Sequence, residues 1–131
     1  MAGRAINRKG RSKYRAFVML RHDMMDSPAW LSLGPAARCV WTEVSRRYNS
    51  FNNGEIALSC REAAERIGVT KDTAAKAFNE LIEKGFLRVG EDSSFTVKYK
   101  KSRRWILTHH MVGRVPPTNE WQRWKKQNTV R

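Results

Sequence analysis

The stretch Leu58–Leu87, LSCREAAERIGVTKDTAAKAFNELIEKGFL, decides the fold, and it reads as two helices joined by a tight turn. Ser59 is placed to cap the first helix, and Glu62, three residues on, completes a capping box. Ala63, Ala64 and Ile67 then share one face. Gly68 ends that helix, because glycine enters the left-handed conformation without a Cβ penalty. Val69 is apolar enough to plug the turn into a core, and Thr70 caps the second helix through its hydroxyl. Ala74, Ala77, Phe78 and Leu81 recur at helical spacing as a narrow apolar stripe. Gly85 closes the helix, with Phe86 folding back on Leu81.

Two helices that cross steeply over so short a turn need small side chains where they meet, and Ala64, Gly68 and Ala74 supply them. The opposite face of the second helix carries Lys71, Asp72, Thr73, Lys76, Asn79 and Glu80. At its N-terminal end these residues are short or basic, which suits entry into a DNA major groove. The competing reading is an ordinary helical hairpin inside a core. The coincidence of caps, small crossing residues and a basic chain argues against it.

The run EAAERIGVTKDTAAKAFNELIEKGFL resembles the GntR-type helix-turn-helix pattern of bacterial winged-helix regulators. In that pattern an acidic, alanine-rich helix, Gly-Val-Ser/Thr and a Thr-containing recognition helix lead to Leu-x-x-x-Gly-hydrophobic. The longer run LSLGPAARCVWTEVSRRYNSFNNGEIALSCREAAERIGVTKDTAAKAFNELIEKGF is similar to small helix-turn-helix proteins of alphaproteobacterial chromosomes, plasmids and prophages. The resemblance implies an α+β winged helix-turn-helix, a helical core with a small antiparallel sheet. It speaks to fold far more than to biological role.

Charge agrees with that reading. The chain has 131 residues, with 26 Lys and Arg against 12 Asp and Glu, a net charge of +14. Such an excess repels itself unless a polyanion is present, and it is the electrostatic footprint of a nucleic-acid binder. No apolar run is long enough to span a bilayer, and no signal-peptide pattern opens the chain. Cys39 and Cys60 fall in expected helices without metal-type spacing, so two buried thiols in a reduced cytoplasm are expected.

Residues 1–15 form a basic arm without apolar periodicity, expected to be disordered alone. The arm lies on phosphates or in a minor groove, or else is a solvated tail. Residues 16–110 are expected to be the winged domain and 111–131 a C-terminal extension. Ala16–Leu20 is a short extended piece or a helix start. Ser27-Pro28 and Gly34-Pro35 each mark a helix entry, for helices over Pro28–Leu33 and Pro35–Tyr48. Ala37, Val40, Trp41, Val44 and Tyr48 make the buried stripe of the longer one. Met24, Met25, Trp30 and Trp41 read as core rather than as a ligand pocket. Asn52-Asn53-Gly54 is turn chemistry able to hold positive φ.

Strands are expected at Glu55–Leu58, Phe86–Val89, Phe95–Tyr99 and Arg104–His109. The densest positive run, Lys98–Arg104, belongs on the wing, where it grips phosphates and carries little base information. Adjacent His109 and His110, ending a strand, point to opposite faces and assemble no metal set with His22, Cys39 and Cys60. Thr118 caps a last helix, Asn119–Gln127, with Trp121 and Trp124 one turn apart, docked on the body or forming a dimer contact.

These expectations converge on a shared core of Trp41, Val44, Ile56, Ile67, Phe78, Leu81, Phe86 and Leu107. The expected function is sequence-specific binding of double-stranded DNA to regulate transcription, at the nucleoid in the cytoplasm. Helix 71–84 reads the major groove, with Thr70, Lys71, Asp72, Thr73, Lys76 and Asn79 as the base-reading residues. Ser59, Arg61, Lys98, Lys100, Lys101, Arg103 and Arg104, with Arg8, Lys9 and Arg11 of the arm, are the phosphate contacts. No cofactor, metal or catalytic group is expected: the chain has no Gly-rich phosphate loop, nucleophile elbow or free carboxylate pair. A homodimer is left open, with the Met24–Trp30 segment as the other candidate interface, and no effector ligand is named. The rival readings are a plasmid or phage replication or partition factor on the same fold, a protein-interaction winged helix, and an RNA-binding protein. An enzyme ranks behind all of these.

Overall fold

The computed structural model describes residues 15–90 and 103–126. Among them the chain is α+β, with five α-helices, a three-stranded antiparallel sheet and one 3-10 turn. Helices α1 (His22–Met25) and α2 (Pro28–Leu31) are single turns that lead into α3 (Pro35–Arg46). Strand β1 (Ile56–Ala57), helices α4 (Cys60–Ile67) and α5 (Lys71–Glu83), and strands β2 (Leu87–Val89) and β3 (Arg104–Leu107) follow. The sheet order is β1-β3-β2, and β3 pairs antiparallel with both neighbours.

The short-range signals form as the sequence dictates. Ser27 Oγ accepts the Trp30 amide at 3.2 Å with Pro28 at the first helical position. Ser59 Oγ accepts the Glu62 amide at 3.0 Å and Thr70 Oγ1 the Thr73 amide at 3.1 Å. Gly68 (φ 76°) and Gly85 (φ 87°) end α4 and α5 in the left-handed region. Beyond each, the chain turns back: the Val69 amide reaches Ala64 O at 3.1 Å, and the Phe86 amide reaches Leu81 O at 2.9 Å. These are the bonds of a Schellman end.

One core joins all the layers. Ala74, Ala77, Phe78 and Leu81 of α5 are buried with Val40, Trp41 and Val44 of α3, Ala63 and Ala64 of α4, and Ile56, Leu87 and Leu107 of the sheet. Phe78 and Trp105 stack in parallel, 4.5 Å between ring centres, which locks β3 against α5. The Trp105 indole N–H donates to Leu58 O at 2.9 Å and so ties the same strand to the entry of α4. Ile67, placed in the core by its spacing, is only half-buried at its edge.

Several expectations need correction. Glu62 completes only half a capping box, because its carboxylate turns to Arg47 Nη2 at 3.2 Å. Asn52 and Asn53 do not take positive φ; Ser50 (φ 77°) and Gly54 (φ 96°) do. The two asparagines use their amides instead. Asn53 Nδ2 donates to the carbonyls of Leu107, His110 and Met111, while its Oδ1 accepts the Leu107 amide at 2.7 Å. Strand β3 ends at Leu107, before the histidines, because the Thr108 hydroxyl turns inward to Gly85 O at 2.6 Å.

The last helix is a single 3-10 turn, Glu120–Gln122, entered through Asn119 at φ 47°. Thr118 does not cap it; its hydroxyl meets the Glu120 carboxylate at 2.9 Å. Trp121 is nevertheless buried in the core and stacks on Phe86, so the segment docks on its own chain. Trp30 and Met24 are buried too, which removes most of the other proposed interface. Met25 is partly exposed rather than core, and Cys39 is exposed while Cys60 is half-buried, so the pair of buried thiols is not found. Helices α2 and α3 stop two residues short of their expected ends, at Leu31 and Arg46. The expected strand Phe95–Tyr99 and the arm 1–14 lie outside the described residues. Among the described residues, no helix is long and apolar enough to cross a membrane.

Candidate nucleic-acid interface

Helix α5 divides cleanly along its length. Ala74, Ala77, Phe78 and Leu81 face inward, whereas Lys71, Asp72, Thr73, Lys76 and Asn79 are exposed. Thr70 is exposed as well. Its hydroxyl serves the helix twice: it accepts the Thr73 amide and donates to Thr73 Oγ1 at 2.9 Å. The two threonines are therefore held as a pair at the start of α5. Lys71 and Lys76 take part in no ion pair among the described residues.

Glu80 does not belong to this face, contrary to the expectation from its spacing. It is half-buried, and its carboxylate accepts the Gly34 amide at 3.1 Å and the Lys84 ammonium at 2.9 Å. Gly34 has no side chain with which to cap α3, so Glu80 supplies the negative group at that helix start from the neighbouring helix. The acid nearest the C-terminal end of the exposed stripe is thereby neutralised.

The helix beneath is clamped by ions. Glu43 of α3 accepts Arg66 Nε at 2.9 Å and Arg47 Nη1 at 3.0 Å, and Arg47 reaches on to Glu62 of α4. The Arg66 hydrogen bond, helped by Arg47, holds the Glu43 carboxyl below its usual range despite some burial. Arg66 is raised in turn, chiefly by its bond to Glu43. This α3–α4 network is invisible to local spacing, because its partners are 23 and 15 residues apart.

Of the expected phosphate contacts, Arg61 and Arg103 are exposed, and Ser59 and Arg104 are half-buried. The Ser59 hydroxyl is occupied by its cap, and Arg104 Nη1 lies 3.5 Å from Glu55 O. The register shows where the β2–β3 end lies. Phe86 sits just past the C-terminal end of α5, yet Trp105, paired with Val89, stacks on Phe78 farther back along that helix. The strands therefore run back beside α5, and Arg103 and Arg104 lie at the end displaced from its C-terminus. Lys98, Lys100, Lys101, Arg8, Lys9 and Arg11 lie outside the described residues.

A second polar region lies at the other end of β3. His109 and His110 do not point apart; their ring centres are 4.0 Å from each other, because the chain has already left the strand. His110 stacks on Tyr48 at 4.1 Å, and His109 packs against Trp41 at 5.6 Å. Burial, then the neighbouring His110 and Arg21, push the His109 pKa down to about 3. Burial and Arg21 lower His110 as well. No group of three or more His, Cys, Asp or Glu among the described residues is placed to hold a metal ion.

No family model, curated protein or solved structure matches this chain. The reading of the α5 face rests on the residues themselves.

Proposed function

We propose that the protein is a winged helix-turn-helix that binds double-stranded DNA in a sequence-dependent way and acts in transcriptional regulation. In this reading α4 and α5 are the helix-turn-helix, and the chain between β2 and β3 is the wing. The observation that carries it is the α5 face: lysines, threonines and an asparagine outward, alanines and Phe78 inward, on a chain of net charge +14. A helix about 10–12 Å across fits the width of a B-form major groove. Thr73, Lys76 and Asn79, spaced by three along α5, would then face base edges together, with Lys71 and Asp72 at the leading turn. The first amides of α5 would meet a phosphate, while Thr70, its hydroxyl spent on Thr73, holds the helix start in place. Arg61, Arg103, Arg104, the lysines of the wing and the arm would contact the backbone on either side, and fix register without reading sequence.

The test is duplex binding as a function of salt, with structured RNA as competitor. Binding should fall linearly in log–log form as salt rises, and duplex DNA should displace RNA rather than the reverse. Lys101→Ala should weaken every sequence alike and reduce the slope by about one unit. Absence of duplex binding at low ionic strength, or preference for RNA, would refute the proposal.

A further inference from the structure

Phe51 is the most exposed large apolar side chain among the described residues, at 92%. The turn that carries it is firmly built. The Asn49 amide donates to Asn52 Oδ1, the Phe51 amide to Asn49 Oδ1 and Asn52 Nδ2 to Arg47 O, each at 2.9 Å. Ser50 holds φ 77°, a left-handed conformation that residues with a side chain seldom adopt. Asn53 fixes the same turn to the chain beyond β3, through the carbonyls of His110 and Met111. Bonds and strain are thus spent on holding an aromatic ring out in water, the pattern of a functional rather than a structural turn.

A hollow lies beside this knob. Two cavities, of about 450 and 370 Å³, share Tyr48, Ser50, His109 and His110 in their walls. Phe51 and Met111 line the larger, Phe17 and Met19 the smaller, and all four are more than half exposed. Val18 and Leu20 pack against the core, so the segment that bears Phe17 and Met19 is tied down at alternate residues. A cavity of about 150 Å³ is enough for a benzene ring, so either one has room for a phenyl side chain. Arg15 is the one formally charged residue among the described lining of the two, in a chain of net charge +14. A patch poor in charge and rich in Phe, Met and Tyr has the composition of an interface core. It is also where two strongly basic molecules approach with least repulsion.

We propose that this face is the contact between two copies of this chain, packed about a twofold axis, with Phe51 of each copy seated in the hollow of the other. Knob and hollow adjoin on one patch, so the exchange is reciprocal and closes at two copies. A knob remote from its hollow would build an open chain instead. Phe17, Met19, Phe51 and Met111 together expose roughly 500 Å² per copy, more than half of the roughly 800 Å² that each partner gives to a standard interface. An acidic partner would call for a basic face, which this is not. The proposal stands independently of DNA binding, and its test involves no nucleic acid.

The experiment is sedimentation equilibrium of the full-length protein at low and high salt. A monomer–dimer equilibrium is expected, with a Kd of about 100 μM or tighter, and it should strengthen as salt screens the like charges. Phe51→Ala should weaken it by about tenfold or more, and Phe17→Ser should weaken it as well, with unchanged circular dichroism because both residues are exposed. Leu31→Ser, at an exposed position that lines neither cavity, should leave it unmoved. Isotope-filtered NOEs should join the Phe51 ring of one copy to Tyr48 and His110 of the other. A monomer at every concentration, which would leave the face to a different partner, overturns the proposal. So do assemblies that grow beyond two copies, or a dimer indifferent to Phe51→Ala.

Discussion

Burial, and next the adjacent His110 ring, keep the His109 imidazole neutral in the folded chain, with its pKa pushed down to about 3. Above pH 6.5, the ordinary value, folded and unfolded chains both carry a neutral ring. Below it the unfolded chain takes up a proton that the folded chain refuses, so stability falls as pH falls. One such group removes about 1.4 kcal/mol per pH unit in that range. Glu43 and Asp23, whose carboxyls are lowered by their arginine partners, act in the same direction only below about pH 4.5, as they lose their charge. Urea unfolding between pH 6.5 and 4.5 should therefore lose stability steadily, and replacing both His109 and His110, which is lowered as well, by Gln should remove most of that slope. A flat wild-type profile would contradict the burial assigned to this ring. Capping residues were legible in the sequence because their bonds close over three residues, as Ser27, Ser59 and Thr70 show. The histidines and Glu80 were not, since their surroundings come from Tyr48, Trp41 and Gly34, far off in the chain.

Helices α4 and α5 end alike yet tolerate change differently. Both Gly68 and Gly85 have positive φ, but a methyl at Gly68 meets nothing within 4 Å, whereas one at Gly85 would lie 2.6 Å from the backbone at Glu120 and Trp121. Gly68→Ala should cost only the left-handed penalty, about 1–2 kcal/mol. Gly85→Ala adds a backbone clash and should exceed it by at least about 2 kcal/mol, measured by denaturant unfolding. Equal costs would show that the C-terminal segment does not approach Gly85. The long elements α3, α4 and α5 were readable because their apolar periods run over several turns. The terminal turn departs from its spacing: Trp121 and Trp124 are one helical turn apart in sequence, but Asn119 enters in the left-handed region and only Glu120–Gln122 closes a 3-10 turn. Here Trp124 is held by contact with the Lys84 ammonium, 5.2 Å from its ring centre, rather than by a helix.

At the scale of the whole molecule, the C-terminal segment is part of the body rather than an appendage. Trp121 stacks on Phe86, and the Asn119 amide bonds Thr108 O at 2.9 Å. Trp121→Ala should cost about 3–5 kcal/mol, a large share of what a domain of this size has, so thermal unfolding should shift strongly downward. A change of only a few tenths would mean that the segment is peripheral. The sequence showed the aromatic residues but not their destination, because an apolar pair one turn apart serves a dock and a dimer equally well. The charge of +14 was legible in full, and so, apart from Glu80, was the partition of α5 into an alanine side and a lysine–threonine side. The central claim is that this outward side reads bases. Its most direct test compares wild type with Lys76→Ala on a duplex selected from a random library and on a scrambled control. The account predicts that the variant loses about 1–3 kcal/mol of discrimination between the two while it keeps its affinity for the scrambled duplex within a few fold. An unchanged ratio, with Lys76 absent, would contradict it.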